Sequence, residues 1–204
     1  MSDHIQFSLF FEEQKIYDPN SFAVAISKHL EELGNAMIMP FNNTGHPDEE
    51  IVPIVVFQQN QDFVLQANFS NVNVTLTEGY KSVEEIIKAI YKTLDEFKIK
   101  IVRIGYVYNK LYEEDAMQKL KKASFKNKDI INSEEFQLAW HNVKELDDIT
   151  VNFWQRYFNN PAQGTMLFST YDVNTRNDDK HNINGKFAIN FIANAAALIE
   201  DNLL

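Results

Sequence analysis

Histidine is the side chain best suited to acid-base and metal chemistry near neutral pH, and the chain has five of them. The chain has no cysteine, which excludes thiolate metal sites, disulfides and a cysteine nucleophile. With only 6 glycines, it also has no phosphate-binding loop and no nucleophile elbow. We therefore expect no metal and no cofactor. The histidines, none of which has a second one at the spacing of a zinc motif, are His4, His29, His46, His141 and His181.

Acidic residues could also do chemistry, and the segment 172–179 begins like a calcium-binding loop with Asp172 and Asn174. Arg176 then stands where a small oxygen ligand is required, no glycine follows, and no glutamate closes the loop. We interpret the segment as the end of a strand followed by a polar turn. Carboxylates brought together from distant segments stay open as an enzymatic alternative, with Asp172 and Arg103 as the candidates.

The charge balance restricts the class of partner. The 204 residues include 29 acidic and 19 basic ones, a formal net charge of −10, which repels phosphate backbones and anionic lipids. We therefore expect no nucleic acid and no membrane among the partners. The one basic cluster, 119–128, is interpreted as the solvated end of a helix. With neither a long apolar span nor a signal-peptide pattern, and with many Asn, Lys and Ile residues, the sequence predicts a cytoplasmic bacterial protein.

Aromatic residues are abundant, with 16 Phe, 8 Tyr and 2 Trp. Most of them alternate with polar residues in predicted strands, which is typical of a protein core. Four of them could instead line a binding groove for extended apolar segments, because aromatic rings supply a large contact area at low entropic cost. These four are Trp140, Trp154, Tyr157 and Phe158.

The strongest local pattern predicts a helix over 82–97. Ser82 and Glu85 have the spacing of a capping box. Apolar residues then recur every three or four positions, so that one stripe of the helix is expected to pack on a sheet. The members of this stripe include Ile86, Ile87, Ile90 and Leu94.

The predicted order of elements is strand, helix, strands, long helix, strand, helix, strands, helix. The strands follow one another too closely for strict alternation with helices, which favours an α+β fold with a largely antiparallel sheet and helices packed on one face. We expect a single α+β domain over 1–204, with two lobes, about 1–110 and 111–204, as the alternative.

One strand resembles a known family. Arg103, Ile104, Gly105 and Tyr108 match the motif R-I-G-x-x-Y of sporadically distributed bacterial proteins of unknown function, in which a long helix precedes this strand. Asp172 lies where that family has an aspartate at the end of a late strand. The resemblance implies no activity, cofactor or substrate. A looser similarity, in the order of elements alone, is to SecB-type chaperones.

The absence of recognisable catalytic motifs favours a non-enzymatic binding or interaction protein whose partner is another protein, with a homo-oligomer left open. A SecB-like holding chaperone or a toxin–antitoxin accessory protein is the first alternative, and an enzyme with an unrecognised carboxylate site is the second. Strand alternation puts Arg103 on one face with Ile101, Gly105 and Val107, so a partly buried guanidinium would need a partner. Asp172 is one candidate for that partner.

Overall fold

The computed structural model describes residues 4–12, 18–30, 36–41, 52–59, 62–68, 70–77, 82–112, 114–159, 166–176 and 182–204. Strands in these ranges form one antiparallel sheet, and helices pack against it, which confirms the predicted α+β fold. The nine described strands are β1 (His4–Phe11), β2 (Met37–Phe41), β3 (Val52–Gln59), β4 (Phe63–Ala67), β5 (Asn71–Thr77), β6 (Ile101–Tyr112), β7 (Gln137–Leu146), β8 (Ile149–Asn159) and β9 (Leu167–Thr175). The described helices are α1 (Pro19–His29), α2 (Val83–Glu96), α3 (Glu114–Ser124), α4 (Lys128–Ile131) and α5 (Gly185–Glu200).

Helix α2 begins and ends close to its predicted bounds, but the predicted capping box is not formed. Ser82 is the N-cap residue and its side chain makes no capping hydrogen bond, so burial of the apolar stripe rather than the cap stabilises this helix. At the other end, Lys98 has a φ of 54° and the N–H of Ile99 donates to the carbonyl of Leu94. Because of this left-handed C-terminal motif, β6 begins only at Ile101.

The strand order β2-β3-β4-β5-β1-β6-β9-β8-β7 reveals two halves with similar topology. Each half begins with a strand that pairs with the last strand of the same half, and each half ends with a helix. β1 and β6 meet in the middle of the sheet, and the two terminal helices, α2 and α5, pack against each other. The alternative boundary at residue 110 falls inside β6, and both halves contribute to the same sheet.

One face of the sheet, here called the covered face, carries the core. Antiparallel pairing places alternate residues of neighbouring strands side by side, such as Phe7 with Val74 and Tyr106, and Tyr106 with Val173. These residues are buried in one hydrophobic cluster with the apolar sides of α1, α2 and α5. The intervening residues of each strand point to the opposite side, here called the open face.

A register shift between β1 and β6 changes the face of one predicted position. Consecutive residues Phe10 and Phe11 of β1 pair with Arg103 and Ile101 of β6, so that the extra residue, Val102, belongs to β6. Ile101 is therefore buried in the core, although strict alternation predicted that it shares a face with Arg103. Arg103 belongs to the open face.

Helix α3 contains a buried cation. Lys121 is fully buried, its Nζ donates to the carbonyl oxygen of Ser133 at 2.6 Å, and it lies 5.4 Å from the ring centroid of Phe136. Removal from water disfavours the charged form, so burial lowers the pKa of the Lys121 ammonium. The basic cluster over 119–128 thus includes the end of α3, as predicted, but one of its lysines is part of the interior rather than solvated.

The lowered pKa of Lys121 gives an expected pH dependence. Over a range of pH the folded state has lost the Lys121 proton while the unfolded state still holds it, so the free energy of unfolding rises with pH. The rise ends when the lysine of the unfolded chain also loses its proton, at its ordinary pKa of ~10.4. Lys121→Met should remove that rise, measured by urea unfolding at several pH values between about 7 and 10. The exposed neighbour supplies the control: Lys122→Met should keep the pH dependence of the unsubstituted chain. If the free energy of unfolding of Lys121→Met depends on pH in the same way as that of the unsubstituted chain, the expectation is contradicted.

Candidate functional site

The four aromatic residues predicted to line one groove lie on two faces of the sheet, so that prediction is wrong. Tyr157 is buried on the covered face, and the ring centroid of Trp140 lies 5.3 Å from its own. Trp140 shares this face because it pairs with Gln155, whose Oε1 accepts a 2.5 Å hydrogen bond from the indole N–H. Trp154 and Phe158 lie on the open face, since they alternate with Tyr157 along β8.

Three tyrosines form a hydrogen-bonded cluster on the covered face. The hydroxyls of Tyr112 and Tyr171 are 2.9 Å apart, and the hydroxyl of Tyr157 donates to that of Tyr171 at 3.1 Å. The backbone N–H of Leu204 donates to Tyr112, which ties the end of the described chain to this cluster. Burial raises the pKa values of Tyr157 and Tyr171, so both hydroxyls stay protonated at neutral pH and serve as hydrogen-bonding groups.

The hypothetical ion pair between Arg103 and Asp172 is not formed. Asp172 lies opposite Val107 in β6, and its Oδ1 accepts a hydrogen bond from Nδ2 of Asn174 at 3.0 Å. The guanidinium carbon of Arg103 lies 3.9 Å above the ring centroid of Phe10 instead. The strand register is the reason. Asp172 pairs with Val107, which lies two residues after Gly105 on β6, whereas Arg103 lies two residues before Gly105.

The remaining residues of the R-I-G-x-x-Y motif are divided between the two faces. Ile104 is fully buried in the core, and Tyr108 lies opposite Tyr171 on the covered face. Gly105 lies on the open face, where an added Cβ would be in ordinary contact, at 3.6 Å, with the Cβ of Asn174. The motif therefore combines core positions with one open-face arginine, and its residues do not converge on a shared centre.

The positive charges of the chain are segregated by residue type. Of the 19 basic residues only three are arginine. Arg103 and Arg156 belong to the open face, and Arg176 directly follows β9 and lines a cavity together with Arg103. Within the described strands, the only lysines are Lys110 and Lys144, which pair with Ser169 and Val151 and so have covered-face positions. The open face of the described strands thus carries two of the three arginines and no lysine.

Stacked side chains accompany these arginines on β7, β8 and β9. The rings of His141 and Trp154 stack with centroids 4.4 Å apart and an interplanar angle of 20°. The guanidinium of Arg156 lies 5.5 Å from the ring centroid of Trp154, and the rings of Phe158 and Phe168 stack at 5.4 Å. We call these five residues the aromatic patch.

A cavity of about 400 Å³ opens beside the aromatic patch, at the end of the sheet where β9 reaches Arg176. Its polar wall is organised by a directional chain of hydrogen bonds across three strands. Nε2 of His141 lies 3.1 Å from Oδ1 of Asn152, whose Nδ2 donates to Asn174, whose Nδ2 in turn donates to Asp172. We call this space the arginine cavity, and its lining includes Arg103, His141, Val143, Asn152, Asn174 and Arg176.

The open face of the first half of the sheet is chemically different. Its described residues on β1 and β5 carry amides and hydroxyls rather than charges, and Nδ2 of Asn73 donates to Oδ1 of Asn71 at 2.9 Å. Charged and stacked groups are therefore concentrated on the second half, over β6, β9, β8 and β7. Representative polar residues of the first half are Gln6, Asn71, Asn73, Thr75 and Thr77.

Two further cavities lie away from the open face. The larger, about 820 Å³, is bounded by α2, the start of β6 and the N-terminal end of α5, where the hydroxyl of Tyr91 donates to the carbonyl of Ile183. The smaller, about 290 Å³, lies between α5 and the turn at Asp147. Within the described ranges, His, Asp and Glu side chains do not gather in threes as a metal site would require. None of the described helices is long and apolar enough to cross a membrane.

Sequence reasoning selected Arg103 and Trp154 but missed Arg156, Arg176 and His141. A usable signal was present, because Trp154, Arg156 and Phe158 alternate along one strand, and arginine is rare in this chain. Comparison with protein-family models finds no match, and a search of curated proteins finds none either. The resemblance carried by Arg103 to Tyr108 therefore stays a prediction, and the surface chemistry of the open face is the basis on which function is inferred.

Proposed function

We propose that the protein is a non-enzymatic interaction module that binds another protein through the open face of β6, β9, β8 and β7. The observation that carries this proposal is the segregation of its cations: Arg103 and Arg156 are on this face and Arg176 adjoins it, whereas the described strand lysines have covered-face positions. Enrichment in arginine and aromatic residues with depletion of lysine is the composition of protein-binding surfaces.

The same segregation favours a protein partner over a nucleic acid. Nucleic acid binding draws most of its affinity from several cations that neutralise successive phosphates, and lysines contribute to such surfaces. Here three arginines lie on a chain whose net charge is −10, and the same face also carries the carboxylates of Asp172 and Glu145. Local positive charge of this kind complements a few carboxylates on a partner better than a continuous phosphate backbone.

Trp154 is the expected centre of the binding energy. Its ring is partly buried and contacts both the His141 ring and the Arg156 guanidinium, so little side-chain entropy remains to be lost on binding. Tryptophan and arginine are the residues most often found at the energetic centre of protein interfaces. The neighbouring Phe158, which is 41% exposed, adds apolar area that a partner would cover.

The arrangement supports the alternatives less well. A holding chaperone needs a long apolar surface, whereas the open face of the described strands alternates aromatic rings with arginine and asparagine. An enzyme built on Arg103 and Asp172 would need these groups to approach a common atom, and their strand positions keep them apart.

Peptide display on the intact chain tests the proposal. Peptides are selected for binding to the unsubstituted chain, and their affinities are then measured by titration calorimetry against Trp154→Ala and Arg156→Lys. We expect acidic peptides, with affinity reduced about 30-fold or more by Trp154→Ala, the effect of losing a central interface residue. Arg156→Lys should also weaken binding, because lysine keeps the charge but loses the planar group that stacks on Trp154.

The control is Gln66→Ala, an exposed residue on the open face of β4, which should leave affinity unchanged. Peptides whose binding is insensitive to Trp154→Ala and Arg156→Lys would show that the interaction surface lies elsewhere. Tighter binding of single-stranded oligonucleotides than of any selected peptide, with the same sensitivity to Trp154→Ala, would replace the protein partner by a nucleic acid.

A further inference from the structure

We propose that the arginine cavity binds a carboxylate group, and that, given the proposed function, this carboxylate is an acidic side chain of the partner protein. The cavity lies on the open face beside the aromatic patch, so a segment that covers Trp154 can place a side chain in it. The inference concerns the residues Arg103, Arg176, Asn152 and Asn174, none of which belongs to the aromatic patch.

Arg103 is held in place for such a contact. Its guanidinium carbon lies 3.9 Å above the ring centroid of Phe10, and both residues are on paired strands in the middle of the sheet. A cation–π contact of this kind does not use the N–H donors of the guanidinium, so they can donate to a ligand. A planar carboxylate can accept two parallel hydrogen bonds from one edge of a guanidinium.

Arg176 brings a second cation to the same cavity. The pairing of β6 with β9 reaches Gly105 and Asn174, and Arg176 directly follows the last residue of β9. Arg103 and Arg176 therefore lie at the same end of these two strands, and both line the cavity. An anion in the cavity would be attracted by both guanidinium groups.

The asparagine wall of the cavity presents donors rather than acceptors. Oδ1 of Asn152 lies 3.1 Å from Nε2 of His141, and Oδ1 of Asn174 accepts from Nδ2 of Asn152. These contacts occupy the amide oxygens, which would otherwise repel a carboxylate, and each amide nitrogen carries a second N–H for a ligand. Asp172 ends the chain by accepting from Asn174, so its negative charge orients both amides and acts as a positioning group.

The cavity fits a carboxylate better than a phosphate. Phosphate sites in proteins commonly use free backbone N–H groups at a helix N-terminus or in a turn, whereas the described lining here consists of side chains on β6, β7, β8 and β9 together with Arg176, and includes no helix N-terminus. Two guanidinium groups suffice for one negative charge, whereas the net charge of −10 opposes a dianion.

The experiment uses the side-chain Nε–Hε NMR signals of the intact chain, of which only three exist because the chain has only three arginines. The signals are assigned with Arg103→Gln, Arg156→Gln and Arg176→Gln. Butyrate, a monocarboxylate that resembles the glutamate side chain, and inorganic phosphate are then titrated separately. We expect saturable shifts of the Arg103 and Arg176 signals with butyrate, a weaker response to phosphate, and little change at Arg156.

Arg103→Gln should lower the affinity for butyrate at least tenfold while the backbone amide spectrum stays that of the folded chain. Equal, non-saturating shifts of all three signals would reduce the effect to general screening and overturn the inference. Tighter saturation by phosphate would also overturn it, because the cavity would then be a phosphate site. The outcome is separable from that of the proposed function. Peptide binding that depends on Trp154 but not on Arg103 would overturn the carboxylate site and leave the proposed function standing, whereas butyrate binding without Trp154-dependent peptide binding would overturn the proposed function.

Discussion

Raising the pH above about 10 is expected to unfold the protein steeply, because buried tyrosines that stay protonated in the folded state ionise once the chain unfolds. Tyr157 and Tyr171 are almost completely buried, and burial raises both pKa values. Each such group removes about 1.4 kcal/mol from the free energy of unfolding for every pH unit above its unfolded pKa of ~10. Below that pKa their contribution is constant.

Urea unfolding between about pH 8 and pH 11, with tyrosinate absorbance recorded in parallel, measures this effect. Tyr171→Phe should reduce the alkaline slope and cost roughly 1–3 kcal/mol at neutral pH, because the Tyr157 hydroxyl loses its hydrogen-bond acceptor in the interior. Phenylalanine at position 171 retains the packing of the ring, so the change in the free energy of unfolding measures the effect of the hydroxyl alone. The expectation is contradicted if all eight tyrosines of the folded chain titrate together near ~10.

Ile90→Ala is expected to lower the free energy of unfolding by about 2–5 kcal/mol, because it removes a fully buried side chain from the middle of α2. This helix packs against α1 on one side and α5 on the other. A cavity at Ile90 would therefore weaken contacts with both halves of the sheet, and neighbouring elements held by backbone pairing would fill it only in part.

Lys92→Ala, two residues further along the same helix and exposed, is the matched control. Its effect in chemical denaturation should stay within about 0.5 kcal/mol, the usual range for a surface substitution. A loss of less than half a kcal/mol for Ile90→Ala would mean that the apolar stripe of α2 is not part of the stabilising core.

The elements themselves were largely predictable, because their periodicity is local. The stripe of Ile86, Ile87, Ile90 and Leu94 predicted α2, and the structure buries all four residues. Close spacing predicted the antiparallel meander from β3 to β5. The end of α2 was less predictable, since it depends on Lys98 adopting a left-handed conformation in which glycine is the usual residue.

The candidate site was predictable only in part, for a reason that the aromatic residues illustrate. Alternation along β8 correctly separates Tyr157 from Trp154 and Phe158. It does not relate β8 to β7, whose register places Trp140 beside Gln155 on the covered face. Grouping Trp140 with Trp154 therefore joined residues from opposite sides of the sheet. The bulge between β1 and β6 opposite Phe10 likewise places Ile101 on the covered face, whereas alternation along β6 predicted the face of Arg103.

The sequence by itself determined which segments form helices and strands, the antiparallel character of neighbouring strands and the rarity of arginine, because each is a property of composition or of short-range periodicity. Only the tertiary structure decided that β1 lies beside β6 and that β9 pairs with β6, which brings Arg103 to the same cavity as Arg176 and Asn174. These pairings join residues about 55 to 105 positions apart in the chain. Contacts at that separation arise from the burial of a shared core, which favours one strand order over many that satisfy the same local patterns.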